Sequence, residues 1–401
     1  MNMKRRYRTL TKAVIIPSGF FVRILRSFIP SERSIVWAIP QQDRKWITDR
    51  MNQAGSESGL SFYYGNEKSL ISLIKEKTQL HNRNNITRTE AYYHFYKNHP
   101  EVHWALLAHM VSRNAGYQMT DLKGEFLTRL LNDEQRFPIY WALETANSLI
   151  FQDVYPQLLL YEESKRARRS LFHLLPGLET SAFMKPIWEH FWHSQESRIL
   201  TMALIINEQN FIDNRVVHNN THAKAFHSVP FQLQNLLQLT KIIFPVQSGI
   251  TKLAGIRVTR FNDLASRIET GKHLYRQLFH ERLQSGILRF ADQQPHTGSR
   301  TDYWKEVFTS DLSAFSPSYD RERMGYFKLK KKAERLYSPK LLDAWNTFFT
   351  DSPVKGDWFN GKDMPEQFNF LFKPKPAFIE REYWTDLHQL EGAVLAKQFL
   401  F

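Results

Sequence analysis

The sequence predicts an all-α fold, a large irregular helical globule with a loop-rich C-terminal portion and a basic N-terminal amphipathic arm. Three observations carry that expectation. From about residue 66 the apolar side chains recur with a 3.6-residue period, alternating strand patterns are scarce, and prolines punctuate the chain where helices begin. At 401 residues with 42% hydrophobic and 14% aromatic content, the chain has ample side chain for a packed core.

In chain order, residues 1–40 read as a basic arm. Lys4, Arg5, Arg6, Arg8, Lys12, Arg23, Arg26 and Arg33 stand against Glu32, eight charges less one, a net of +7. With Pro17 in the first turn and Pro30 at the end, Ser18 to Ile29 forms an amphipathic helix. Phe20, Phe21, Ile24, Leu25, Phe28 and Ile29 share one side of it, with Arg23 and Arg26 opposite. Residues 41–65 have few apolar positions in any period and end in Gly55, Ser56, Ser58 and Gly59, so they read as a linker.

Residues 66–245 form the expected helical core. Thr87 to Glu90 has capping-box spacing ahead of Ala91, Tyr92 and Phe95, and this helix stops before Pro100. Pro100 opens the next, through Trp104, Leu107 and Val111 to Gly116; Pro138, Pro156, Pro186, Pro230 and Pro339 mark five further starts. Ile243 to Thr259, where Pro245, Gly249 and Gly255 interrupt β-branched residues, is a hairpin or a long connection and the best candidate boundary. Residues 246–401 read as a second helical portion, rich in loops and packed on the first.

The absence of cysteine removes disulfides, thiolate metal sites and cysteine nucleophiles, and fits a reducing cytoplasm. No segment reaches the roughly 18 to 20 apolar residues of a membrane-spanning helix, and the N-terminal apolar stretch is broken by Pro and Arg, unlike a secretory signal. The net charge of +14 calls for an anionic partner, and half of it lies in the first 40 residues. Phe on one face and Arg on the other suit a membrane interface over anionic lipid; Phe20, Phe21, Arg23, Ile24, Arg26 and Phe28 are the candidate contacts. The clusters Lys165, Arg166, Arg168, Arg169 and Lys328, Lys330, Lys331, Lys332 read as solvated helix faces.

Phosphate-binding Gly-rich loops, nucleophile elbows and zinc-protease motifs are all absent from the sequence, which points to no cofactor. Glu189, His190 and His193 have ligand spacing on one helix, but their aromatic neighbours favour an ordinary helix face over a metal site. Polar residues among apolar ones are more informative. His109 and Arg113 lie on a polar stripe, while His103 and Asn114 project among Met110 and Leu107. Glu144, Asn147 and Ser148 interrupt an apolar helix, and the run Ile199 to Ile206 turns abruptly to Asn207, Glu208, Gln209 and Asn210. Unpaired, such groups cost about 1 to 3 kcal/mol each, so they join a structural network or line a wet pocket. In a pocket, Glu144 and Glu208 serve as acid and base for hydrolysis, His109 carries protons, Arg113 orients an anionic substrate, and Asn114, Asn147, Asn207 and Asn210 contact the ligand.

The strings NITRTEAYYHFYKNHPEVHWALLAHMVSRNAGYQMTDLK, YPQLLLYEESKRARRSLFHLLPGL and ALIINEQNFID resemble a family of uncharacterised proteins from Bacillus and related bacteria, catalogued as a domain of unknown function. The resemblance runs from about Asn66 to Tyr303, implies a bacterial cytoplasmic setting, and carries no activity or site residue. The sequence therefore favours a cytoplasmic helical binding protein without a cofactor, acting at the inner membrane surface. A helical hydrolase is the alternative, and non-specific nucleic-acid binding, supported by charge alone, is the second.

Overall fold

A computed structural model describes residues 35–37, 40–54, 63–219, 241–248, 250–258, 262–316, 318–347, 356–360, 365–368, 370–372 and 377–400. Its described residues are mostly α-helical, with strands confined to two-stranded pairs. The expected amphipathic helix with Phe20, Phe21, Arg23, Ile24, Arg26 and Phe28 lies outside the described residues, as does Pro230. Among the described residues, no helix is long and apolar enough to cross a membrane.

The stretch read as a linker contains helix α1 (Gln41–Ala54). Its apolar stripe is only Ile47 and Met51, both buried, beside a half-buried Trp46 that packs on His190 at 5.2 Å. Two residues one turn apart suffice because α1 needs cover on one side alone. Helix α2 (Gly65–His81) follows, opened by the Glu67 carboxylate accepting from the Tyr64 amide. Helix α3 (Asn85–Asn98) starts earlier than its Thr87 signal suggested. Asn84 is the cap, and Thr87 is the reciprocal partner three residues on, its hydroxyl accepting from the Asn84 amide at 3.3 Å.

Helix α4 (His103–Asp121) forms an antiparallel hairpin with α3 and is buried over nearly its whole circumference, so His109 and Arg113 occupy no exposed polar stripe. After the short α5 (Leu127–Leu130), the 35-residue helix α6 (Asp133–Ala167) runs straight through Pro138 and Pro156, which therefore start no new helices. The carbonyls those prolines leave unpaired belong to Glu134 and Gln152, the one exposed and the other half-buried. Pro186 does lie in the first turn of α7 (Met184–Ser194). Helix α8 (Ser197–Ile212) runs through the centre, with Ile199, Leu200 and Leu204 to Ile206 buried.

Strands β2 (Lys241–Ser248) and β3 (Ile250–Arg257) form an antiparallel hairpin, one of the two forms expected for this stretch. Its residues Ile243, Phe244, Val246, Leu253 and Ala254 are buried in the same hydrophobic cluster that extends from Ile47 to Val394, so the core is continuous across residue 245. A side chain at Gly255 would stand 2.2 Å from the Ile242 carbonyl; glycine is what lets the strands pair there. Helices α9 (Leu264–Leu278), α10 (Gln284–Gln293) and α11 (Leu341–Ala344), and the closing helix α12 (Glu380–Leu400), complete the body. The short pairs are β1 (Ile35–Trp37) with β6 (Phe370–Phe372), antiparallel, and β4 (Phe308–Thr309) with β5 (Leu336–Tyr337), parallel.

Candidate functional site

The polar residues singled out in the sequence divide between two networks on either side of α3 and α4. The first lies toward the β2–β3 hairpin. Asn85 donates through Nδ2 to the Ser112 carbonyl at 2.8 Å and the Ser112 hydroxyl at 3.0 Å, and its Oδ1 lies 2.8 Å from Nε2 of His296. His109 places Nδ1 2.9 Å from the Thr89 carbonyl, with its ring against Tyr93. Since a carbonyl only accepts, His109 carries its proton on Nδ1; His296 likewise carries its own on Nε2, which leaves each ring one bare nitrogen. Burial lowers the pKa of His109 to about 3 and that of His296 to about 4.

Arg113 donates to the Tyr117 hydroxyl at 2.8 Å and the Pro295 carbonyl at 3.1 Å, and lies over Phe290. Asp302, 3.6 Å from that guanidinium, accepts from the Thr297 amide, the Thr297 hydroxyl and the Tyr117 hydroxyl. Asn114 clips the hairpin, donating to the Lys241 carbonyl and accepting from the Ile243 amide. Gly116 belongs to the same packing: an added Cβ would stand 2.5 Å from Asn85 Oδ1 and 2.6 Å from His296 Nε2. An open cavity of about 330 Å³ borders Asp302, Phe290 and Tyr303, but the carboxylate at its edge is already held by Thr297 and Tyr117. Here His109, Arg113 and Asn114 hold elements together.

The second network lies between α3, α6 and α8. Arg88 and Glu144, both buried, approach within 2.5 Å, and Asn82 joins Arg88 to Ser148. Asn207 donates to Asp153 in a short hydrogen bond and accepts from Trp358 Nε1 at 2.9 Å; Gln157 donates to the Asp153 carbonyl and accepts from Trp188. Glu208, only partly covered, accepts from Trp104 Nε1 at 3.1 Å and from Gln209 at 3.2 Å. Several groups here lack hydrogen-bond partners: Arg88 Nε, the Tyr92 hydroxyl, Glu144 Oε2, Thr145 Oγ1 and Asp153 Oδ1. Burial raises the pKa of Asp153 to about 7 and that of Glu208 to about 8, and each carboxylate opposes ionisation of the Tyr92 hydroxyl.

Glu144, Asn207 and Glu208 thus belong to three neighbouring groups, held by Arg88, Asp153 and Trp104 respectively, while Asn147 and Asn210 bond back to the carbonyls of Leu143 and Ile206 in their own helices. Asp153, Arg88 and Tyr92 were not singled out. Asp153 and Gln157 are spaced one turn apart within an otherwise apolar run, a signal of the same kind as that of Asn207. His190 spends both ring nitrogens on Asp43 and Ser194, and among the described residues no group of three His, Asp or Glu could hold a metal ion.

A third feature is on the surface. Met324 pairs with Leu329, and Gly325 donates to the Lys328 carbonyl at 2.8 Å, so Tyr326 and Phe327 form the apex of a tight turn. Tyr326 is 85% and Phe327 42% exposed, and Phe327 has φ 53°, a left-handed conformation costly for a bulky side chain. Helix α12 fixes the turn: Trp384 and His388 hold the Gly325 carbonyl, each at 2.8 Å, and the Glu391 carboxylate accepts from the amides of Arg323 and Met324. Lys328, Lys330, Lys331 and Lys332 are exposed beside the apex, on a turn and not on the helix face expected. Lys165 and Arg166 end α6, where Lys165 pairs with Glu101.

A family model described as a protein of unknown function (DUF2515) matches residues 80–383. The uncharacterized protein YppC of Bacillus subtilis (strain 168) is 38% identical over 334 residues, which cover 83% of this chain and 97% of that protein. No solved structure matches.

Proposed function

This chain belongs to the DUF2515 family of proteins of unknown function, and we propose that it works as a binding protein at an anionic membrane surface, on the cytoplasmic side. The observation that supports this is the rigid turn at Tyr326 and Phe327. Two aromatic rings stand at a strained apex hung from α12, and residues 320–335 carry seven basic against three acidic side chains, a net of +4. Strain retained at an exposed position is a pointer to use. Rings of this size seat at headgroup depth, and each lysine near an anionic surface adds about 1 kcal/mol. A turn with that complement gives weak, reversible attachment; the +7 of residues 1–40 would supply a second signal. Single-stranded nucleic acid also attracts lysines and aromatics, but it is held along grooves, and this apex is convex.

Sedimentation of the intact protein with phosphatidylserine-containing vesicles tests the proposal. Binding should exceed that to phosphatidylcholine alone and weaken as salt rises, since exposed charges are screened over about 8 to 10 Å near physiological ionic strength. Tyr326→Ser with Phe327→Ser, and separately Glu at Lys328, Lys330, Lys331 and Lys332, should each reduce it. Removing residues 1–34, which carry the whole +7, leaves strand β1 in place and should reduce it further without unfolding the body. Binding indifferent to both sets of turn substitutions, or tighter binding to single-stranded RNA than to vesicles, would defeat the reading.

A further inference from the structure

We infer that the open cavity of about 330 Å³ beside the tip of the β2–β3 hairpin is a binding site for a small, neutral, polyhydroxylated molecule of hexose size. Its walls come from three elements. Gln247 and Thr251 are opposite partners across the hairpin, so their side chains project from the same face of it. Phe290 lies in the last turn of α10 with Gln294 just past its end, and residues 302–306 form the third wall. Each wall is fixed by bonds of its own. Arg289 donates to the Gln247 carbonyl at 3.3 and 2.9 Å, which ties α10 to β2; Arg113 lies 4.4 Å from the Phe290 ring centroid; and Arg300 donates to the Tyr303 hydroxyl at 2.7 Å. The space is therefore preformed, and its volume is at the small end of ligand pockets, which run from roughly 300 to 1,000 Å³.

The lining specifies the class of ligand. Two amides, Gln247 and Gln294, and the Thr251 hydroxyl are half-buried in it, and each can both donate and accept. A sugar hydroxyl has the same double capacity, so side chains of this kind match a ring of hydroxyls. The half-buried Trp304 and the buried Phe290 supply apolar surface for the C–H faces of such a ring. Charge argues against an ionic ligand. Asp302 is buried and already accepts from Thr297 and Tyr117, with Arg113 3.6 Å away. The other charged residues of the lining, Lys305 and Glu306, are chain neighbours of opposite sign, both exposed. An ion held here would give up water without a free, buried counter-charge to replace it. A planar base fits less well than a sugar, because Arg113 already occupies one face of Phe290. The cavity uses no residue of the Tyr326 turn, so this inference stands independently of the membrane reading.

Saturation-transfer NMR on the full chain is the test, with D-glucose, D-galactose, N-acetyl-D-glucosamine and myo-inositol as probes, L-alanine as the ionic control and adenine as the planar one. At least one of the four probes should bind saturably, and neither control should. Gln247→Leu and Gln294→Leu should each weaken that binding by about threefold to tenfold, as loss of one neutral hydrogen bond does. Thr251→Trp, which fills the cavity from the hairpin tip, should abolish it. Thermal melts establish that each variant is folded. Absence of saturable binding by all four probes, tighter binding of L-alanine or adenine than of any probe, or affinity unchanged in the folded variants would overturn the inference.

Discussion

The two buried networks flanking α3 and α4 contain the same kinds of residue and differ in what each leaves unpaired: imidazole nitrogens of His109 and His296 on the hairpin side, carboxylate and phenol oxygens on the other. On the hairpin side, Asp302 alone accepts three hydrogen bonds, and Asn114 uses both ends of its amide on the strand backbone. On the α6–α8 side, Asp153 keeps one oxygen without a partner and Tyr92 its hydroxyl. A polar residue in an apolar helix is therefore no guide to function by itself; what distinguishes the regions is that the carboxylate of one is fully held while that of the other keeps an oxygen without a partner.

Substitutions break this comparison at different strengths. The largest effects should come from completed pairs. Asp302→Ala strips the Arg113 guanidinium of its carboxylate, and Glu144→Ala does the same to Arg88 within the otherwise incomplete network; each should cost about 3 to 5 kcal/mol, read by urea unfolding. Next comes Gly116→Ala, whose methyl group intrudes on Asn85 and His296 and should cost about 1 to 3 kcal/mol. Asp153→Asn should be nearly neutral or stabilising by up to about 1 kcal/mol, because it removes a carboxylate that burial disfavours. A loss like that of Asp302→Ala would erase the distinction.

Acid and base sharpen the contrast, since the networks respond with opposite sign. Unfolded, Asp153 and Glu208 titrate near 3.8 and 4.5, and folded near 7 and 8. The native state holds the extra protons, so these groups withdraw stability as pH rises through that window. His109 and His296 titrate near 6.5 unfolded, and near 3 and 4 folded. There the unfolded state holds the extra protons, and stability is lost as pH falls below about 6.5. Urea unfolding from pH 4 to 9 should show both limbs, and Asp153→Asn with Glu208→Gln should flatten the alkaline one alone. The smallest expected effect is none: vesicle binding should be unchanged in every one of these variants, as all lie away from the Tyr326 turn.

Much of this was readable in the sequence, and its failures have physical causes. Period and capping signals identify α3 and α4, and the β-branched residues around Gly249 identify a hairpin as one of two options. The prolines of α6 misled because the carbonyls they leave unpaired are not fully buried, so the helix continues. Helix α1 was missed because two apolar residues make too short a pattern. For the site, isolated polar residues named Glu144, Asn207 and Glu208, whereas Asp153, Tyr92 and Arg88 matter through neighbours supplied by other helices. His109 and Arg113 were grouped with the glutamates, although His109 is held by Thr89 on α3 and the carbonyl that receives Arg113, that of Pro295, lies 182 residues further along. The turn at Tyr326 was beyond reach for the same reason: its order depends on α12.

That dependence has a consequence in time. Glu391, which receives the Arg323 amide, follows it by 68 residues. At roughly 5 to 20 residues per second, translation separates the two by about 3 to 14 seconds. During that interval the apex leads a nascent chain without its clasp, free to leave the left-handed conformation at Phe327. The outward posture of the two rings is thus acquired only once α12 has been made, and a product terminated before α12 would carry the same turn sequence without presenting it.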